Sequence, residues 1–267
     1  MDLGIVDATA VVTGGSKGMG RAVAEILAAD GARVAVMARG KEALDDTVSV
    51  LGDLGSPDAV GISTDMTDPA SIGAGFRDVA DRWGALNILV HTIGPGAGRF
   101  EELDDSGWDA AFTLGTMSAV RCVREALPLL RLAEWGRIAV FSAHSIQRQS
   151  PMLVAYTASK AAVTSLAKNL SKTLAPDGIL VNAVCPGSIV TASFKENLKE
   201  LFAAEGLDPG DPHDVMTWIA RTFHQPADLG RAGLPDEVAS LTAYLVSRRN
   251  GYVTGACVNA DGGSDFV

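Results

Sequence analysis

Cysteine is scarce in this chain, with three among 267 residues: Cys122, Cys185 and Cys257. Their odd number and wide spacing fit a reduced, cytoplasmic protein with no disulfide framework and no metal-ligand pattern. Long apolar runs are missing too. None reaches the about 18 residues of a membrane span, and the N-terminus shows no basic, apolar, cleavable leader, so no membrane is expected as a partner. Basic residues are outnumbered, 22 against 32 acidic, and the net charge of −10 argues against nucleic acid. There is no internal repeat, low-complexity linker or break in composition, so one domain is expected over residues 1–267. What the chain does have is 47% apolar residues, enough for a substantial α/β core.

Residues 8–28 organise the rest. Residues 8–13 are a short apolar run with β-branched members, as expected of a strand buried on both faces. Gly14-Gly15-Ser16-Lys17-Gly18-Met19-Gly20 follows at once, and 21–28 is an Ala/Leu-rich helical segment. Glycines are needed where backbone turns sharply and approaches a ligand, and the following helix aims N–H groups of partial positive charge at that ligand. The natural guest is a pyrophosphate.

Further strands are predicted at 33–38, 59–64, 87–92, 137–142, 179–184 and 256–259. Helices fall between them at 41–51, 69–83, 105–132, 154–174 and 235–247. Asp68 before Pro69 reads as an N-cap followed by a first-turn proline. This alternation predicts an α/β fold with a doubly wound parallel sheet of about seven strands, helices on both faces. Residues 188–232 show no strand pattern and two helix-like pieces. They are expected to form a lid over the carboxyl ends of the strands.

After the second strand come Ala38 and Arg39, where an acidic residue would select an unphosphorylated ribose. Arg39 and Lys17 instead favour a 2′-phosphate, so NADP(H) is expected over NAD(H). Asp65, with Met66 beside it, ends the third strand and is placed either to accept from the adenine amine or to cap a helix. Tyr156 and Lys160, four apart, share one helix face. An ammonium beside a phenol lowers its pKa of about 10, and such a tyrosine can protonate a carbonyl oxygen as hydride reaches the carbon.

These residues carry a resemblance to the short-chain dehydrogenase/reductase family over essentially the whole chain, with 3-oxoacyl-carrier-protein reductases among the members it resembles. Thr13 to Gly20 is similar to the family's TGxxxGxG, and Tyr156 with Lys160 to its YxxxK. Asn182-Ala183-Val184-Cys185-Pro186-Gly187 resembles its NxVxPG segment, and Gly230-Arg231 through Asp261-Gly262-Gly263 its C-terminal stretch. The resemblance implies an NAD(P)-dependent oxidoreductase acting on a small carbonyl or alcohol, commonly a homotetramer, with Tyr156 as acid/base. It implies that Lys160 holds the nicotinamide ribose as well as tuning Tyr156, and that Pro186, Gly187, Ile189 and Thr191 line the nicotinamide end.

The departures are specific. The family's NNAG reads His91-Thr92-Ile93-Gly94, which keeps only Gly94 as a cofactor contact. The usual catalytic serine falls on Ala143, and the helix asparagine, aligned through Trp108-Asp109 and Leu127-Pro128, on Gly115. Gly115 marks either a kink or close approach, or a neutral change. For the missing donor, residues two apart in an extended chain face the same side, which favours Ser145. A turn would bring in His144 instead, and no donor at all is the third alternative. His91 at a strand end reads as a packing residue. A nucleotide-binding regulatory protein and a same-fold enzyme with a non-redox or internal redox reaction are the alternatives to a carbonyl reductase.

Overall fold

In the computed structural model, which describes residues 2–224 and 226–264, seven strands form one sheet. They are β1 (Thr9–Thr13), β2 (Arg33–Ala38), β3 (Ala59–Ser63), β4 (Ile88–His91), β5 (Gly136–Phe141), β6 (Ile179–Pro186) and β7 (Cys257–Ala260). Their order is β3-β2-β1-β4-β5-β6-β7, every neighbouring pair parallel. β1 is buried along its whole length, because helices cover both sides of it. Val12 points into a core beneath α1 (Gly18–Ala29), α2 (Lys41–Asp53) and α9 (Pro235–Val246), with Leu27, Val36 and Val246. Val11 points into the opposite core with Phe76, Leu89 and Ile138, beneath α3 (Pro69–Trp83), α5 (Ser118–Leu132) and α6 (Val154–Thr173). The expected doubly wound sheet is therefore present.

Helix starts follow local chemistry. The Asp68 carboxylate accepts from the Ala70 N–H at 2.9 Å, and Pro69 opens α3. The stretch expected as one helix over 105–132 is broken. α4 (Asp105–Phe112) passes through a π-helical turn, Thr113–Met117, before α5 begins. Gly115 lies in that turn, where a Cβ would stand 2.5 Å from Ser159 Oγ and 3.0 Å from Pro95. It marks a close approach of α6, and turns of this kind concentrate at functional sites.

Residues 188–232 hold α7 (Ala192–Ala204) and α8 (Pro212–Phe223). The two helices pack a cluster of their own, with Phe202 and Trp218 rings 5.3 Å apart at its centre. β1 has β2 on one side and β4 on the other. The chain thus reverses direction across the sheet there, opening a crevice at the carboxyl ends of β1 and β4.

Candidate active site

The turn after β1 is shaped by what cannot fit. Gly14 has φ 73°, and its N–H donates to Met37 O at 2.8 Å. A Cβ there would lie 2.5 Å from Thr92 Oγ1, and one on Gly20 would run into the carbonyl oxygen of Gly14. Lys17, the residue before α1, gives its helix no side-chain cap. The first N–H groups of α1 are therefore directed at the cleft beside it.

That cleft has a volume of about 920 Å³. Gly14, Ser16, Lys17, Gly18, Met19 and Gly20 line it, and so do Arg39, Asp65, Met66, Gly94 and Thr191. Lys17 and Arg39 are exposed, and among the described residues neither makes an ion pair. Asp65 Oδ1 accepts from the N–H and hydroxyl of Thr67 at 2.9 and 2.8 Å, bonds that hold its carboxyl below the usual range. The cap of α3 is Asp68, so the capping alternative for Asp65 is already filled.

Pro186, Gly187 and Ile189 are not among the residues lining this cleft. β6 continues through Pro186, two residues further than expected, and a Cβ on Gly187 would meet Asp261 Cα at 2.7 Å. Ile189 lines a separate cavity of about 450 Å³ with Asn259 and Asp261. Thr92, Ile93 and Glu42 line this cleft without having been expected there. Their position after β4 and at the start of α2, beside the crevice, is the signal that could have found them.

Tyr156 and Lys160 converge as their spacing predicts. A Cβ on Gly94 would stand 3.0 Å from Lys160 Cε and 3.5 Å from Tyr156 Cε2. Lys160 is buried, and its Nζ donates to Ile93 O at 2.7 Å and Phe141 O at 2.6 Å. Burial pushes the ammonium down to about 7. The phenol differs from expectation. Burial first, then the neighbouring Cys185, pushes Tyr156 up to about 12 rather than down.

The loop after β5 also departs from the extended path assumed for it. Ala143 is extended, but His144–Ile146 forms a 3₁₀ turn. Ser145 is buried, and its Oγ accepts from the Thr157 hydroxyl at 3.3 Å, one residue along α6 from Tyr156. His144 Nδ1 lies 3.1 Å from Pro186 O. Ser142 faces α6, donating to Lys160 O at 3.0 Å. His91 is fully buried between Thr13 Oγ1, 2.8 Å from Nδ1, and Ser118 Oγ, 3.0 Å from Nε2. Burial first, then the Lys160 charge, lowers its pKa to about 3, so it is a neutral packing residue.

Residues 14–265 match the family model described as enoyl-(acyl carrier protein) reductase. The chain is 35% identical over 259 residues to the monensin polyketide synthase putative ketoacyl reductase of Streptomyces virginiae, covering 95% of each. It is 33% identical over 260 residues to the cis-4-hydroxycyclohexanecarboxylate dehydrogenase of Sinomonas cyclohexanicum, covering 97% of this chain and 96% of that one. The crystal structure of L-sorbose reductase from Gluconobacter frateurii, complexed with NADPH and L-sorbose, superposes with a TM-score of 0.92 at 29% identity over 100% of both chains. No helix among the described residues is long and apolar enough to cross a membrane. The chain belongs to the short-chain dehydrogenase/reductase family and is an NAD(P)-dependent oxidoreductase of the kind that interconverts carbonyls and alcohols.

Proposed function

We propose that the protein reduces the carbonyl of a small organic molecule with NADPH, Tyr156 giving the proton. The observation that carries this reading is the convergence of Tyr156 and Lys160 on Gly94, at the edge of a glycine-built cleft that also holds Lys17 and Arg39. The cleft fits a dinucleotide, since Gly14 and Gly20 form a cradle that a Cβ would fill, beside an uncapped helix N-terminus. When bound, the nucleotide supplies hydride. The N–H groups of Gly18, Met19 and Gly20 would hold its pyrophosphate. Lys17 and Arg39 would pair with the 2′-phosphate, and Ala38 presents no carboxylate against it.

Lys160 as an ammonium has three donors, two of them committed to Ile93 O and Phe141 O. The third is left for a ribose hydroxyl, and the charge stabilises the phenolate that forms once Tyr156 has given its proton. With its pKa raised to about 12 by burial, the phenol holds its proton across the neutral range, the form in which it can act as the acid in carbonyl reduction. Ser145 is the second donor in this reading. It accepts from Thr157, which leaves its own O–H to give. Residues 188–232 act as the lid, with Thr191 capping the start of α7 beside Gly18. A homotetramer, as the family resemblance implies, and a cytoplasmic location complete it.

The test is to titrate NADPH and NADH and to follow their oxidation with ketoses, cyclic ketones and 3-oxoacyl thioesters. NADPH should bind about tenfold more tightly or better and be consumed mole for mole with alcohol formed. Equal dissociation constants would overturn the choice of NADP(H). Binding with no consumption across the panel would overturn the reductase reading in favour of a regulatory role.

A further inference from the structure

The pairing of β6 with β7 sets Cys257 opposite Ala183 and Cys185 opposite Asn259. The two cysteines therefore sit on one face of the sheet, on a diagonal, and their Sγ atoms are 3.0 Å apart. A disulfide bond is about 2.05 Å long, so the sulfurs stand roughly 1 Å from bonding distance. Cys185 is buried, whereas Cys257 is exposed on the edge strand.

The surroundings assign the two thiols different roles. The two sulfurs share a hydrogen bond that either can donate, and this contact chiefly lowers the pKa of Cys257; partial burial opposes it and the Thr164 hydroxyl adds to it. Cys185 is pushed the other way, by its bond to Cys257 and then by burial. The exposed thiol is thus the readier nucleophile and the buried one is poised behind it. Cys122, fully buried and pushed up to about 12, is an internal control.

We propose that Cys185 and Cys257 form a dithiol oxidation site whose co-substrate is a hydroperoxide. The Cys257 thiolate attacks the terminal peroxide oxygen; the O–O bond breaks, an S–O bond forms, and the alkoxide leaves as an alcohol after taking a proton. Cys185 then gives up its proton and attacks the sulfenic sulfur. The S–S bond forms, the S–O bond breaks, and hydroxide leaves with that proton as water. Two thiols are oxidised by two electrons, and one hydroperoxide is reduced to alcohol and water.

The bridge reaches the site already described. Diagonal partners have backbones further apart than directly opposed ones, so closing the bond shifts β7 along β6. Gly187, two residues beyond Cys185, donates to Ala260 O at 3.0 Å and moves with that shift. Cys185 sulfur is also close enough to Ser142 and the Ala143 N–H for both to lower its pKa, and they belong to the loop where the family's serine is missing. Oxidation therefore deforms the catalytic loop, and the bridged form turns over more slowly. The thiol chemistry stands apart from the proposed reduction; only this last effect rests on it.

The experiment treats the reduced full-length protein with hydrogen peroxide and reads intact mass and non-reducing peptide maps. The expected result is loss of two hydrogens per chain, one cross-link between the peptides holding Cys185 and Cys257, and full reversal by dithiothreitol. Cys185→Ser should stop at a sulfenic acid on Cys257 that dimedone traps. Cys257→Ser should form no cross-link and react about tenfold more slowly or less. Oxygen added without a cross-link, a cross-link between chains, or reaction of Cys257→Ser at the parent rate would each overturn the site. A bridged protein with undiminished carbonyl reduction would overturn the coupling while leaving the oxidation site intact.

Discussion

The turn after β1 and the turn after β5 lie at the same end of the sheet, two strands apart, and are built on opposite plans. After β1 the site is made of backbone: Gly14, Gly18 and Gly20 are there because a Cβ meets other atoms or the φ is positive. After β5 it is made of side chains, and one that the family usually supplies is replaced by Ala143; a second, on the helical stretch before β5, is replaced by Gly115. Backbone sterics leave no substitute for a glycine, so the first turn keeps its pattern whole. A hydrogen-bond donor can be moved to a neighbouring residue, so the second turn can keep its chemistry while its residues change.

The two turns should therefore break differently. Ser145→Ala should cut turnover by about 10²–10³ with little change in nucleotide affinity, the usual cost of one donor to a developing oxyanion. In that background Ala143→Ser should restore part of the loss. An unchanged rate in Ser145→Ala, measured with the authentic substrate, would take Ser145 out of the mechanism. Gly20→Ala should instead strike binding. Its Cβ would run into the Gly14 carbonyl, and NADPH affinity should fall about 100-fold, or about 2.7 kcal/mol, in a variant that circular dichroism shows to be folded.

Gly115 sharpens the comparison from the side of packing. Gly115→Asn restores the family's residue but drives a side chain into Ser159 and Pro95, and should destabilise by about 1–3 kcal/mol in urea unfolding. Adding Ser159→Ala should recover at least half of that. An equal cost in both backgrounds would show that Ser159 is not what excludes the side chain.

His91 gives the smallest effect and a signed one. Its folded pKa of about 3 lies below the ordinary 6.5, so between those values the unfolded chain binds the proton and the native chain does not. Stability is complete above pH about 6.5 and is lost as pH falls toward about 3, with a slope of at most about 1.4 kcal/mol per pH unit. His91→Asn should flatten the curve in that window, and an unaltered slope would mean the imidazole is already charged in the native state.

How much was legible follows the same division. The strand, glycine turn and helix of residues 8–28 could be read because their constraints are local, and the alternation of strands and helices then gives the sheet. Tyr156 and Lys160 were legible as a pair because helix periodicity brings them to one face. The pKa of Tyr156 was not, since it depends on how deeply the folded chain buries the phenol and on Cys185, 29 residues further along. Gly115 was conspicuous in a helix, yet its reason, Ser159, is a tertiary contact 44 residues away. The setting of Ser145 was hidden by a 3₁₀ turn that carries no turn signature, and the closeness of Cys185 to Cys257 by strand register.

The central claim is that an intact nucleotide cradle serves a tyrosine acid that works without the usual serine. Its most direct test is Tyr156→Phe, measured in parallel for NADPH affinity and for carbonyl reduction on the best substrate of the panel. The dissociation constant should stay unchanged, within about twofold, and turnover should fall by about 10²–10⁴, the range for a positioned general acid. Near-normal turnover in a variant that binds NADPH normally would contradict it.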